Sequence, residues 1–206
     1  MIDQASVLRN MVQLLNGKKL ILCKHLGNNR DQLNGFLIEI SKYILDKGYQ
    51  VLVVEEVAEE RLGLSATDDP IRTDAHGLQY MEISDAERYV VSEIGSLRVL
   101  ADVVIVISDS VNDKLFRMCD EVILVSAASQ KELLAAYSFI KRIDEQILPK
   151  ITFVANRVEY SDESVNLLLE TFSDLLDKTI HRSIKEIIAL RTPNQYFVFA
   201  NQLLGI

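Results

Sequence analysis

No stretch of this chain approaches the roughly 18 consecutive apolar residues that a membrane-spanning helix requires, so a bundle of spanning helices is excluded. Cysteine is scarce. Cys23 lies in an apolar run and Cys119 beside Met118, far apart and without a C-x-x-C pair. Such residues read as buried free thiols rather than as a disulfide or a thiolate metal site. His25, His76 and His181 have no metal-ligand spacing, and no metal centre is expected. Basic charge is also short: 22 Lys and Arg stand against 30 Asp and Glu, a net charge of −8. That argues against gripping a phosphate backbone, and no nucleic-acid partner is expected. The N-terminus carries Asp3 and has no long apolar stretch, so no signal peptide is read and a cytoplasmic location is expected.

What is present suffices for a single core. Apolar residues make up 49% of 206 residues, with no linker or internal repeat. Ile2 to Leu15 has a helical pattern. Asp3 is a good N-cap, Ile2 and Val7 suit a hydrophobic staple, Leu8, Met11, Val12 and Leu15 form one stripe, and Asn16-Gly17 ends it. At about three turns, such a helix needs something to bind. Strands and helices then alternate. Leu20–Cys23, Val51–Val54, Val103–Ile107, Val122–Val125 and Ile151–Val154 read as strands. Helices are expected at Leu33–Ile44, Ala86–Leu100, Leu133–Ile147, Ser164–Leu176 and Ile180–Leu190. Val57 to Glu82 shows no period and contains Pro70 and Gly77, which reads as loop with a short helix at most. Its acidic residues, with Glu55, Glu56 and Asp74 beside them, suit a solvated loop or a contact for a basic partner. The expected fold is α/β: a mostly parallel sheet with helices on both faces, preceded by a short N-terminal helix.

In such a sheet, ligands bind at the carboxyl ends of the strands. The first turn reads Lys24-His25-Leu26-Gly27-Asn28-Asn29-Arg30-Asp31-Gln32-Leu33-Asn34-Gly35. A phosphate loop uses glycines so that amides can wrap the phosphates, a lysine for the β/γ oxygens and a hydroxyl for magnesium. Here only Gly27 lies in the loop proper. Counting back from Lys47-Gly48 puts Leu33 or a close neighbour, such as Asn34, where the lysine belongs. Asp31 would set a carboxylate beside a triphosphate, and like charges repel. After Val103–Ile107, Ser108-Asp109-Ser110 offers Asp109 one place late for backing a magnesium ion. The loop therefore reads as a degenerate nucleotide site of Gly27, Asn28, Leu33, Asn34 and Asp109.

Three segments carry a resemblance. They are Asp3-Gln4-Ala5-Ser6-Val7-Leu8-Arg9; Asp120-Glu121-Val122-Ile123-Leu124-Val125 followed by Ala136-Tyr137 and Ile140-Lys141; and Val154-Ala155-Asn156-Arg157-Val158. They are similar to the D-Q-A-x-x-L-R opening, the D-E-V-I-V-V strand with its A-Y-x-x-I-K helix, and the V-V-N-R-V strand end of the FlhG (YlxH, FleN) flagellar regulators. Those are members of the MinD/ParA group of deviant P-loop ATPases. The resemblance places Asn156 and Arg157 near the adenine. The chain departs from the family in lacking the K-G-G-x-G-K-[ST] loop and the D-x-D end of the second strand. Asn201–Ile206 also lacks the basic amphipathic helix that holds MinD-type proteins to membranes, so no stable membrane anchor is expected.

The resemblance implies an activator helix at residues 1–17 and a MinD-like domain at 18–206. It implies that the helix binds an FlhF-like GTPase of the signal-recognition-particle type and stimulates its GTP hydrolysis. Gln4 would orient the attacking water, Arg9 would meet phosphate or an acidic residue, Leu8 would anchor, and Asp3 and Ala5 complete the motif. With its loop erased, the chain is expected to be no enzyme itself, a pseudo-ATPase without ATP or magnesium as cofactor. Two alternatives stand beside this: an active MinD-type ATPase with an atypical loop, and a scaffold for other flagellar or polar proteins.

Overall fold

The computed structural model describes residues 18–27, 30–56, 71–74, 77–83, 97–108, 113–143, 150–156, 162–179 and 186–206. The expected N-terminal helix and all of its motif residues lie outside them.

Strand β1 (Lys19–His25) leads into helix α1 (Arg30–Asp46) and strand β2 (Val51–Glu56). Gly48 closes α1 in the left-handed region at φ 86°, where a side chain would be strained, and its amide donates to Leu45 O at 2.8 Å. Strands β3 (Ile71–Thr73) and β4 (Gln79–Ile83) follow, then a helical stretch at 97–100 and strand β5 (Val103–Ile107). The second half comprises helix α2 (Asp113–Met118), strand β6 (Glu121–Ser126), helix α3 (Gln130–Ile143) and strand β7 (Lys150–Asn156). It closes with helix α4 (Asp162–Thr179), strand β8 (Glu186–Leu190) and helix α5 (Pro193–Leu204).

The described strands form one sheet in the order β3-β4-β2-β5-β1-β6-β7-β8. Seven run parallel, and β3 pairs antiparallel with β4 at one edge. Because side chains alternate along a strand, β1 sends Leu20 and Leu22 to one face and Ile21 and Cys23 to the other. The first face is covered by α2, α3 and α4 through Phe116, Phe139, Val165 and Phe172. The second is covered by α1 and α5 through Phe36, Ile40, Phe199 and Leu203. Aromatic pairs tie these layers, Phe153–Phe172 at 5.1 Å and Phe36–Phe199 at 6.2 Å between ring centroids. Burying Phe153 or Phe36 contributes about 1.5–3 kcal/mol each. Cys23 and Cys119 are buried free thiols, as the sequence suggests.

Two segments of the chain differ from expectation. Within Val57–Glu82, read as loop, residues 71–73 and 79–83 are strands. Their signal is weak because both strands are short and one face of β4 is wet: Met81 and Ile83 are buried while Glu82 between them is exposed. Asp74 shapes the turn, its carboxylate accepting from the Leu78 amide at 3.0 Å while Gly77 takes φ 87°. Ile180–Leu190, read as helix, contains strand β8 at 186–190, paired in parallel with β7. Ile184, Ile187 and Ile188 fit helical spacing, but β-branched residues suit a pleated surface, and the open edge of β7 supplied the pairing partner.

Candidate functional site at the carboxyl ends of the central strands

The connections diverge at β1. From it the chain crosses through α1 to β2 on one side, whereas β6, β7 and β8 step away on the other. Such a switch point leaves a crevice outside the strand ends. Its rim is built from Leu26 and Gly27 after β1, Glu55 and Glu56 at the end of β2, and Ser108 after β5. Ser126–Ala128 at the end of β6 and Asn156 at the end of β7 complete it.

The Leu26 amide donates to Val125 O at 3.0 Å, holding the first turn against β6. Glu132, in the first turn of α3, reaches back across this junction. Its carboxylate accepts from Ala127 N at 2.7 Å and Ser126 Oγ at 2.9 Å. It also lies against Gly27 so closely that a Cβ there would collide with it. Ala128 is held at φ 61°, an uncommon conformation for a residue with a side chain, and its amide donates to Ser126 Oγ at 2.8 Å. On the opposite side, Arg30 at the start of α1 pairs with Glu55, and Ser108 Oγ donates to Glu56. Among the described residues, the rim thus carries the carboxylates of Glu55, Glu56 and Glu132 with the guanidinium of Arg30 paired to Glu55.

Asn156 is fully buried. Its Nδ2 donates to Gln32 O at 2.8 Å, and Tyr196 OH donates to its Oδ1. This joins β7, α1 and α5. Gln32 Oε1 is buried without a hydrogen-bond partner among the described residues.

Of the residues singled out from sequence, the structure gathers Gly27 and Asn156 at these strand ends. Leu33 is 3% exposed, packed in the core beneath α1 rather than turned to the loop, and Asn34 is exposed on that helix. Asn28, Asp109 and Arg157 lie outside the described residues, as do Asp3, Gln4, Ala5, Leu8 and Arg9. A magnesium triphosphate is the ligand this crevice invites, and the described residues fit it poorly. The position expected to hold lysine is a core leucine, and a carboxylate packs on the loop's glycine. Sequence reasoning missed Glu132, Gln32 and Tyr196. Glu132 had a signal, standing three residues after Ser129 as a helix-start pattern, though its carboxylate reaches Ala127 instead. Tyr196 had none, because the partner it meets is 40 residues away. Among the described residues there is no group of three His, Cys, Asp or Glu placed to hold a metal, and no helix long and apolar enough to cross a membrane.

The sheet order and the crevice at β1 define the class: an α/β protein with the fold of MinD/ParA P-loop ATPases. Solved structures carry this fold along nearly the whole chain. MinD cell division protein from Aquifex aeolicus matches with a TM-score of 0.64 at 14% identity, covering 91% of this chain and 97% of that one. A ParA family ATPase from Chlorobium tepidum TLS matches at 0.55 and 16% identity, covering 92% of each. Cobyrinic acid a,c-diamide synthase from Mycobacterium smegmatis, solved with a bound ATP analogue and magnesium, matches at 0.54 and 14% identity, covering 91% and 94%. No protein-family model and no curated protein matches the sequence.

These neighbours overturn the expectation that the chain is no enzyme. That expectation rested on one turn of sequence. The scaffold around the turn is shared with an ATPase and with a synthase holding an ATP analogue, so a missing loop motif is not grounds for denying it catalysis.

Proposed function

We propose that this chain is an FlhG-type regulator that stimulates GTP hydrolysis by an FlhF-like GTPase of the signal-recognition-particle type. The activating residues are Asp3, Gln4, Ala5, Leu8 and Arg9, and the domain behind them is of MinD/ParA fold. The observation that carries the reading is the D-Q-A-x-x-L-R motif standing directly before a domain of that fold. Phosphoryl transfer depends on positioning and electrostatics, so one side chain delivered by a partner changes the rate strongly. The Gln4 amide accepts from the attacking water and donates to a phosphate oxygen, fixing the line of attack. Leu8 is the apolar anchor, worth about 1.5–3 kcal/mol if fully buried in the partner.

The test is single-turnover GTP hydrolysis by an FlhF-type GTPase with the full chain added. Acceleration is expected. Gln4→Ala should abolish most of it while circular dichroism stays unchanged, and a peptide of residues 1–20 should retain part of it. No acceleration by the full chain or the peptide refutes the reading.

A second reading, an ATPase with an unusual loop, is favoured by the ATP-handling proteins that share the fold. Tight Mg·ATP binding in calorimetry and a turnover that falls in Asp109→Asn would support it. Absence of both would remove it.

A further inference from the structure

We infer that the outer face of α3 and α4 is an interface between two copies of this chain. The two helices follow neighbouring parallel strands, start at the same edge of the sheet and run in the same direction. Leucines stand in solvent on both: Leu134 is 57% exposed on α3, and Leu167 is 64% exposed on α4, with Leu168 and Leu175 beside it. A cluster of exposed leucines on adjacent helices marks a contact surface rather than a solvated face.

Charge selects the partner. Lys131, Lys141 and Arg142 lie exposed on α3, whose one acidic residue, Glu132, is turned inward to Ser126 and Ala127. The exposed residues of α4 include Glu163, Glu170, Asp174 and Asp177 against a single cation, Lys178. Among the described residues, no ion pair joins the two rows within one chain. A purely basic partner would match only α4, and a purely acidic one only α3. A second copy of this chain matches both.

The register fits as well. Lys131 and Glu163 are each the second residue of their helix, Ala135 and Leu167 each the sixth, and Arg142 and Asp174 each the thirteenth. A twofold axis lying along the helices between α3 and α4 keeps heights and exchanges the helices. It lays α3 of one copy over α4 of the other, with Lys131 opposite Glu163 and Arg142 opposite Asp174. Leu167 then meets the small Ala135. Beside that residue a groove of about 550 Å³, running from Ala135, Ser138, Phe139 and Arg142 on α3 to Lys24, His25 and Leu26 at the end of β1, gives the opposing leucines a recess. This interface lies on the outer helical face, touches the crevice rim only at Leu26 through that groove, and requires no nucleotide.

The experiment is sedimentation velocity on the full chain without nucleotide, over a concentration series at low and high salt. A dimer that weakens with salt is expected. Lys131→Glu with Arg142→Glu in one variant, and Glu163→Lys with Asp174→Arg in another, should each raise the dissociation constant at least about tenfold. Mixing these two variants should restore dimers, because each then opposes the other with complementary charge on both helices. A wild-type chain that stays monomeric overturns the inference, as does a dimer indifferent to either reversal or a mixture that fails to associate. Loss of the GTPase effect above would leave this result untouched, since the N-terminal motif does not enter it.

Discussion

Glu132 packs against Gly27 at the crevice, and the pair defines what single residues do there. Gly27 is needed because a carboxylate occupies the space a methyl would take, rather than for any unusual backbone angle. Gly27→Ala should therefore push the Glu132 side chain off Ala127 and Ser126 and cost about 1–3 kcal/mol. In urea unfolding, Gly27→Ala combined with Glu132→Ala should lose less than the two single changes added together. Strict additivity would mean that the two residues do not press on one another. Ala128 at φ 61° is the complementary case, where a side chain is tolerated in a glycine-like conformation because the Ser126 hydroxyl and the buried surroundings hold it. None of this was readable one residue at a time. Gly27 was visible as the lone glycine of the loop, but the acid that faces it comes from the helix after β6.

Among the elements, α5 is the one the strand–helix rhythm failed to announce, and it proves to matter at the site. Thr192 and Pro193 start it, with Gln195 Oε1 accepting from the Thr192 amide at 2.9 Å, and Gly205 ends it at φ 78°. It covers α1 through Phe199 and delivers the Tyr196 hydroxyl to Asn156. Tyr196→Phe removes that donor while keeping the ring, and should cost about 1–2 kcal/mol in denaturant unfolding. It should also raise amide exchange in α5 above that of β1. Unchanged stability and exchange would mean that Asn156 does not hold the helix. Strand β8 carries the same lesson: its isoleucines satisfy helical spacing, and only the free edge of β7 decides between the two conformations.

Over the whole molecule, two apolar layers flank a sheet whose central strands β1, β5 and β6 are buried on both faces, and this sets the pH response. Burial raises the Cys23 thiol far above its usual range. Burial also pushes Cys119 up to about 12, with Asp120 adding to the rise and Arg98 opposing it. Unfolded thiols ionise near pH 8.5. The folded state thus holds protons that the unfolded state has given up. The stability these thiols contribute is complete below about pH 8.5 and is lost as pH rises toward 12. Burial raises Tyr80 as well, with Asp74 adding to it, in the same direction. Urea midpoints measured from about pH 8 to about pH 10 should fall more steeply for the wild type than for Cys23→Ala/Cys119→Ala. Equal slopes would show that the thiols are not held neutral.

Sequence by itself determined the α/β class, the parallel central strands, helix α1 with its stop at Gly48 and the two buried thiols. Each of these follows from local periodicity or from a run of apolar β-branched residues that has nowhere to go but the interior. Tertiary structure alone decided the strands β3, β4 and β8, the placing of Leu33 in the core, the Glu132 carboxylate against Gly27 and the Tyr196 contact with Asn156. These depend on partners distant along the chain or on an open sheet edge, and no local pattern encodes a neighbour that only folding brings near.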